Sequence, residues 1–279
     1  MIEKDQITAL IKVALDEDLA GGIDITSTAT IPEKSESLAH FRVKQDGVIS
    51  GIEIAVEVFN LCGVEEISFN LSDGDFVEAN SIIGKVNGNT RKILLAERSA
   101  LNFLGKLSGI STFTNQWVKA VAGTKTKIRD TRKTTPGFRR LEKYAVRMGG
   151  GINHRIGLSS SALIKDNHIS AAGSLTKAFH AVVDQFPDVT VEVEVDTLLQ
   201  LEEALAAGAT FILLDNMNVE ETKKAVEIVA GRAKIESSGG LSLESARDYA
   251  EAGVDFLAVG ALTHSAPVLD ISLDFSETQ

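Results

Sequence analysis

Six short apolar segments in the second half of the chain each run into residues that can do acid, base or anion chemistry. Lys127–Arg129 leads into Asp130-Thr131-Arg132-Lys133, Ala162–Ile164 into Lys165-Asp166, and Val189–Val195 carries Glu194 near its end. Phe211–Leu214 is followed by Asp215, Lys234–Ile235 by Glu236-Ser237-Ser238, and Phe256–Val259 by Gly260. His154 and Arg155 stand between the first two segments. Arg132, Lys133, Arg155 and Lys165 suit carboxylates and phosphates, the arginines bidentately. Glu194, Asp215 and Glu236 suit Mg²⁺, ribose hydroxyls or a developing positive charge. Ser238-Gly239-Gly240, read as opening a helix, and Gly260-Ala261 offer backbone N–H groups to a phosphate. A site holding both signs of charge is expected for a phosphorylated sugar that reacts with an acidic partner.

These residues need a scaffold that brings them together. Helical stretches at 139–148, 174–185, 198–207, 219–230 and 242–252 lie between most of the apolar segments. Strand, helix and strand at intervals of about 20–30 residues predict parallel βαβ units, hence most of a β/α barrel. In such a barrel the carboxyl ends of the strands form one rim. The first part of the chain differs. Phe41–Lys44, Val48–Gly51, Glu66–Leu71 and Ile82–Val86 read as short strands, with helices near 3–16 and 52–61. The expected organisation is α/β: a separate N-terminal α/β domain over 1–110, then most of a β/α barrel over 111–267. Residues 91–110 read as a helical link, with Gly105 and Gly109 marking the boundary.

Composition narrows the function. The formal net charge is −11, which argues against nucleic acid as a partner. Yet residues 125–168 hold eleven Lys or Arg against three acids, a local excess of +8 that suggests a pocket for a small anion. No apolar run is long enough to span a membrane, and the N-terminus lacks a signal peptide's apolar region. A cytoplasmic protein is expected. The single cysteine, Cys62, reads as a small core residue. His40 and His180 read as surface or packing residues, His154 and His168 as near the rim, and His264 could serve either purpose. GxGxxG, P-loop and zinc-spaced Cys/His patterns are absent from the sequence.

Longer blocks carry a specific resemblance. ERSALNFLGKLSGIST, DTRKTTPGFRRLEKYAVRMGGGINHRIGL, LIKDNHI, EVEV, LLDN, ESSGG and GVDFLAVGALTHSAPVLDISL occur in order between residues 97 and 273. Together they resemble the quinolinate phosphoribosyltransferases. The N-terminal part is similar only in general pattern, including Asp24-Ile25-Thr26-Ser27. Ser159-Ser160-Ser161 stands where family members often carry an acid, and Phe138 where a Leu is usual.

The resemblance implies the rest, including an N-terminal α/β sandwich domain, an open β/α barrel after it, and a tail, 268–279, that packs on the N-terminal domain. It implies transfer of phosphoribosyl from PRPP to quinolinate with decarboxylation, with Mg²⁺ as cofactor. It assigns Arg132, His154, Arg155 and Lys165 to the quinolinate carboxylates, and Lys133 to both substrates. Glu194 and Asp215 take the ribose hydroxyls and the Mg²⁺ of PRPP. Thr131 and Val259 join the substrate-binding set, and Ser238, Gly239, Gly240, Gly260 and Ala261 cradle the 5′-phosphate. Lys133, Glu194 and Asp215 are the catalytic candidates. Arg98 is expected to reach a partner subunit's site, which implies a homodimer or a higher oligomer. A relative encoded with molybdate transporters shares much of the pattern, so a transferase acting on another acid stays open as the alternative.

Overall fold

The computed structural model describes residues 4–276. Residue 3 of the first expected helix and residues 277–279 of the tail lie outside them. The chain divides into two compact units: Met1–Phe113 with Arg140–Gly150 and Ala266–Gln279, and Thr114–Arg139 with Gly151–Ser265.

The first unit is built on an antiparallel sheet. Its helices are α1 (Lys4–Leu19), α2 (Ile25–Thr30), α3 (Ile52–Leu61), α4 (Thr90–Ala120, which passes into the second unit) and α5 (Arg139–Met148). Its strands are β1 (Glu36–Val43), β2 (Gly47–Val48), β3 (Glu66–Phe69), β4 (Phe76–Val77), β5 (Ile82–Asn89) and, from the far end of the chain, β12 (Ile271–Phe275). The sheet order is β12-β1-β5-β3, while β2 and β4 pair separately. Alternation in β1 buries Ala39, Phe41 and Val43. Phe41 packs edge-on to Phe59 of α3, with centroids 5.8 Å apart, and against Phe69 of β3 at 4.8 Å. Asp24 caps α2, accepting from the Ser27 N–H at 2.9 Å, so the Asp-Ile-Thr-Ser stretch is a helix start. Asp73 accepts the Gly51 and Ile52 N–H groups at the head of α3 and takes the Tyr144 hydroxyl of α5 at 2.8 Å.

The second unit holds six parallel strands: β6 (Lys127–Arg129), β7 (Ala162–Ile164), β8 (Val191–Val195), β9 (Phe211–Asp215), β10 (Lys234–Ser238) and β11 (Phe256–Ala258). Between and after them come α6 (Asp166–Ala172), α7 (Leu175–Gln185), α8 (Leu198–Ala206), α9 (Val219–Val229), α10 (Ala246–Glu251) and α11 (Ala261–His264). The sheet order is β6-β11-β10-β9-β8-β7, and Ile152 adds a parallel bridge on the free side of β6. This is an open β/α barrel. Side-chain caps start three of its helices: Ser174 for α7, and the Thr197/Gln200 and Asn218/Glu221 capping boxes for α8 and α9.

Three expectations are corrected. The helical link is a single 31-residue helix, and Gly105 and Gly109 do not break it. They are there for close approach: Gly105 O accepts the Leu269 N–H at 3.0 Å, and a Cβ on Gly109 would sit 2.0 Å from the Pro267 carbonyl oxygen. The returning chain therefore lies directly on α4 before it enters β12. Strand β10 runs to Ser238 rather than stopping at Ile235, because β9 and β11 pair with it on both sides. Gly239-Gly240 does not open a helix, since Ser242 and Ser245 close a hydrogen-bonded turn and α10 starts only at Ala246.

Gly109→Ala should thus destabilise strongly. Overpacking against backbone, which cannot rotate aside, costs about 3 kcal/mol. The melting temperature should fall by roughly 6 °C or more, measurable by calorimetry. An unchanged value would mean that the 267–269 segment does not lie on α4.

Candidate active site

Parallel pairing gathers the polar strand ends. Ser238 is in register with Asp215 on one side and Ala258 on the other, and Glu194 and Glu236 both pair across with Leu213. Directions alternate along a strand. Glu192 and Glu194, Leu213 and Asp215, and Glu236 and Ser238 therefore share the inner side of the barrel. Val193, Val195, Ile212, Leu214, Ile235 and Leu257 take the opposite side and are buried there. Of these, Glu194, Leu213, Asp215, Glu236 and Ser238 border one cavity of about 700 Å³ in the second unit, and Glu192 lies beneath it.

Every cationic group expected at the rim borders this cavity. Arg132 and Lys133 come from the loop after β6, His154 and Arg155 from the segment after the Ile152 bridge, and Lys165 from the end of β7. Thr131 accepts the Lys133 N–H at 3.0 Å and the Thr263 hydroxyl donates to Lys133 O at 2.7 Å, which fixes the backbone under that lysine. Asp130 is fully buried. It accepts the His154 N–H at 2.8 Å and the Asn153 amide at 2.5 Å, tying the β6 loop to the His154 segment. Burial and the nearby charge of Arg132 pull the Arg155 guanidinium below its ordinary pKa, with Glu192 opposing them. The Nε atoms of both Arg132 and Arg155 are buried donors with no hydrogen-bond partner in the protein. Buried donors of this kind call for an acceptor.

The anionic side lies beside them. Glu194 pairs with Lys165 at 2.5 Å. Burial and the charge of Asp196 raise the Asp215 pKa, while Lys165, Lys133 and a hydrogen bond from Asn216 work against the rise. Ser238, Gly239, Gly240, Val259, Gly260 and Ala261 complete the lining. Gly239 and Gly240 have φ of +82° and +61°, and a Cβ on Gly239 would come within 2.2 Å of Asn216 Oδ1. The cradle is consequently two left-handed glycines on one side and the four-residue turn of α11 on the other.

Beneath the rim is a buried charge cluster. Arg129 pairs with Glu236 and lies 5.3 Å and 4.8 Å from the ring centroids of Phe211 and Phe256. His154 Nε2 is 2.9 Å from Glu192 and 3.4 Å from Glu236. Burial opposes charge on this imidazole, but its hydrogen bonds to the two carboxylates prevail and hold its pKa above the ordinary value. Burial likewise raises the Glu192 carboxyl, against the pull of His154. The Arg155 N–H points at His154 Nδ1 at 2.7 Å, so Nδ1 offers its lone pair there and the neutral ring carries its proton on Nε2. His154, Glu192 and Glu236 are close enough together to hold a metal ion. The protonated Nε2 and the Arg129 ion pair instead make the trio a hydrogen-bonded cluster.

Some residues fall elsewhere. Arg98 is exposed on α4, in the first unit, and does not border the cavity. His168 does not border it either, and its ring accepts the Lys165 N–H at 3.0 Å. His264 does border it, with Nδ1 2.6 Å from the Ser265 hydroxyl. Asn216 and the apolar floor of Leu163, Leu213 and Ala258 were not anticipated. The inward parity of the strands is the signal that could have found Leu163 and Leu213. The Cys62 thiol is half-buried, and burial pushes its pKa up to about 11.

Known proteins share this arrangement. Residues 24–108 match the family described as quinolinate phosphoribosyl transferase, N-terminal domain, and residues 110–274 match its C-terminal domain. A nicotinate-nucleotide pyrophosphorylase (carboxylating) from Mycobacterium leprae is 48% identical over 279 residues, covering 98% of each chain. A probable nicotinate-nucleotide pyrophosphorylase (carboxylating) from Bacillus subtilis is 40% identical, over 96% of this chain and 93% of its own. The solved nicotinate-nucleotide pyrophosphorylase of Francisella tularensis superposes with a TM-score of 0.94 at 42% identity, over 99% of this chain and 98% of that one. With both domain models matched in order, over residues 24–108 and 110–274, the chain belongs to the quinolinate phosphoribosyl transferase family.

Proposed function

We propose that the protein transfers the phosphoribosyl group of PRPP to quinolinate with decarboxylation, yielding nicotinate mononucleotide, pyrophosphate and CO₂. One observation carries this reading: Arg132 and Arg155 both border the cavity, and each keeps a buried Nε donor without a protein acceptor. A ligand with two carboxylates answers both. The names of the relatives support the carboxylating enzyme and lend nothing to the molybdenum-linked alternative.

In this reading Arg132, Arg155 and Lys165, with His154 beside them, hold the quinolinate carboxylates. Lys133 serves both substrates, and the Gly239-Gly240 and Gly260-Ala261 backbones, with Ser238, receive the 5′-phosphate. Thr131 and Val259 complete the walls. Departure of pyrophosphate leaves oxocarbenium-like charge on the ribose, which Glu194 and Asp215 stabilise electrostatically. The pyridine nitrogen attacks C1′ as the bond to pyrophosphate breaks, the 2-carboxylate leaves as CO₂ with its electron pair held on C2 beside the pyridinium charge, and C2 then takes up a proton from solvent. Holding the two substrates in line is the larger contribution of the protein. The oxygen-only donors Glu194 and Asp215 fit Mg²⁺. When bound with PRPP, the ion supplies charge neutralisation at the leaving pyrophosphate. A cytoplasmic setting accords with a chain in which no helix among the described residues is long and apolar enough to cross a membrane.

Arg98 is exposed on α4 and away from the cavity of its own chain. We assign it to the site of a second subunit in a homodimer.

Incubation with quinolinate, PRPP and Mg²⁺ should release nicotinate mononucleotide and CO₂ in equal amounts. Arg132→Ala and Arg155→Ala should each raise the quinolinate KM about ten-fold or more, as loss of a charge-assisted hydrogen bond does. Unchanged kinetics in both variants would remove these residues from the site.

Subunit mixing tests the shared site. Arg98→Ala chains and Lys133→Ala chains, each inactive alone, should regain roughly a quarter of wild-type activity on reassortment, because mixed two-fold dimers hold one intact site of two. No recovery, with subunit exchange confirmed separately, would place Arg98 outside the site.

A further inference from the structure

Glu192 is unused by the reaction as described, yet it is almost completely buried on β8, two residues before Glu194 and on the same inner side. A carboxylate buried at this depth is costly unless it is tightly partnered. Its Oε2 lies 2.9 Å from His154 Nε2, while its Oε1 has no hydrogen-bond partner. The second carboxylate near Nε2, Glu236, is farther away at 3.4 Å and already engaged by Arg129. Glu192 is therefore the main acceptor for the His154 ring proton.

The contacts continue outward. His154 Nδ1 accepts the Arg155 N–H at 2.7 Å, and Arg155 Nη1 donates to the Ser161 carbonyl at 3.0 Å. The His154 N–H is itself held by Asp130 at 2.8 Å. Both ring nitrogens are thus engaged within the protein, and the ring fixes the backbone from which the Arg155 guanidinium reaches the cavity. Turning the imidazole over, or moving its proton to Nδ1, would set two N–H groups against each other at Arg155.

We infer that Glu192 is a positioning residue that holds His154 in its Nε2–H tautomer and, through the His154–Arg155 hydrogen bond, aims Arg155 at the acidic substrate. His154 then acts on that substrate through Arg155. The inference rests on the functional reading above only for the identity of the acid.

Two variants separate this role from packing. Glu192→Gln keeps an oxygen facing Nε2, whereas Glu192→Leu has similar bulk and no acceptor. Glu192→Leu should raise the quinolinate KM about ten-fold, the loss expected for a hydrogen bond to a charged group. The PRPP KM should stay within about two-fold, and Glu192→Gln should recover most of the loss. Nitrogen shifts of ¹⁵N-labelled histidine give a readout without turnover. At a pH high enough for the ring to be neutral, His154 should be the Nε2–H tautomer in the wild type and in Glu192→Gln, and should lose that preference in Glu192→Leu. If Glu192→Leu does not fold, the wild-type and Glu192→Gln shifts still decide the matter. An Nδ1–H tautomer in the wild type, or equal rises in both KM values, would overturn the inference. Absence of turnover with quinolinate in the wild type would instead count against the functional reading, with the tautomer still decided by the shifts.

Discussion

Arg132 and Arg155 bring like charges together at one cavity, where burial and then the Arg132 charge disfavour the charge of Arg155. Such an arrangement is unfavourable in an empty pocket and becomes favourable when an anion sits between the two. Much of the second unit reads as a means of sustaining it. Asp130, fully buried, ties the loop that carries Arg132 to the segment that carries Arg155. The Ile152 bridge sets that segment beside β6, so both guanidinium groups spring from adjacent strand ends.

The barrel interior supplies the compensating charge in a graded way. Arg129 with Glu236, beside two aromatic rings, and His154 with Glu192 are buried, and Lys165 with Glu194 lies at the rim. The low polarisability of the surroundings strengthens each pair and penalises any member left alone. The unpaired Nε donors of Arg132 and Arg155 stand at the mouth, where a ligand can complete the series. Leu163, Leu213 and Ala258 add apolar lining among these charges.

Much of this was legible in the residues. The six barrel strands are recognisable because short β-branched runs recur with helices between them, and β6 and β7 fall on the expected residues. Strand β10 was read too short, since Glu236-Ser237-Ser238 looks like loop to any pattern based on hydrophobicity. Its partners on both sides, not its composition, keep it in the sheet. Helix α6 was missed because Asp166-Asn167-His168 has no apolar periodicity, and its start depends on His168 turning back to the Lys165 N–H. The pairing of β12 with β1 joins residues 228 to 236 apart, which local patterns do not encode. At the site, residue types revealed the cations and carboxylates. The buried partnership of Glu192 with His154 stayed hidden, since alternation in VEVEV marks both glutamates alike and gives no depth.

In the proposed reaction the cationic end of the cavity is matched to two carboxylates on one ligand. The most direct measurement compares kcat/KM for quinolinate and for nicotinate, each with PRPP. A site built to pair a second carboxylate leaves buried donors unsatisfied when that group is missing, so quinolinate should be favoured on the order of a thousand-fold or more. Equal values for the two acids would contradict the account, because Arg132 and Arg155 would then be serving PRPP alone.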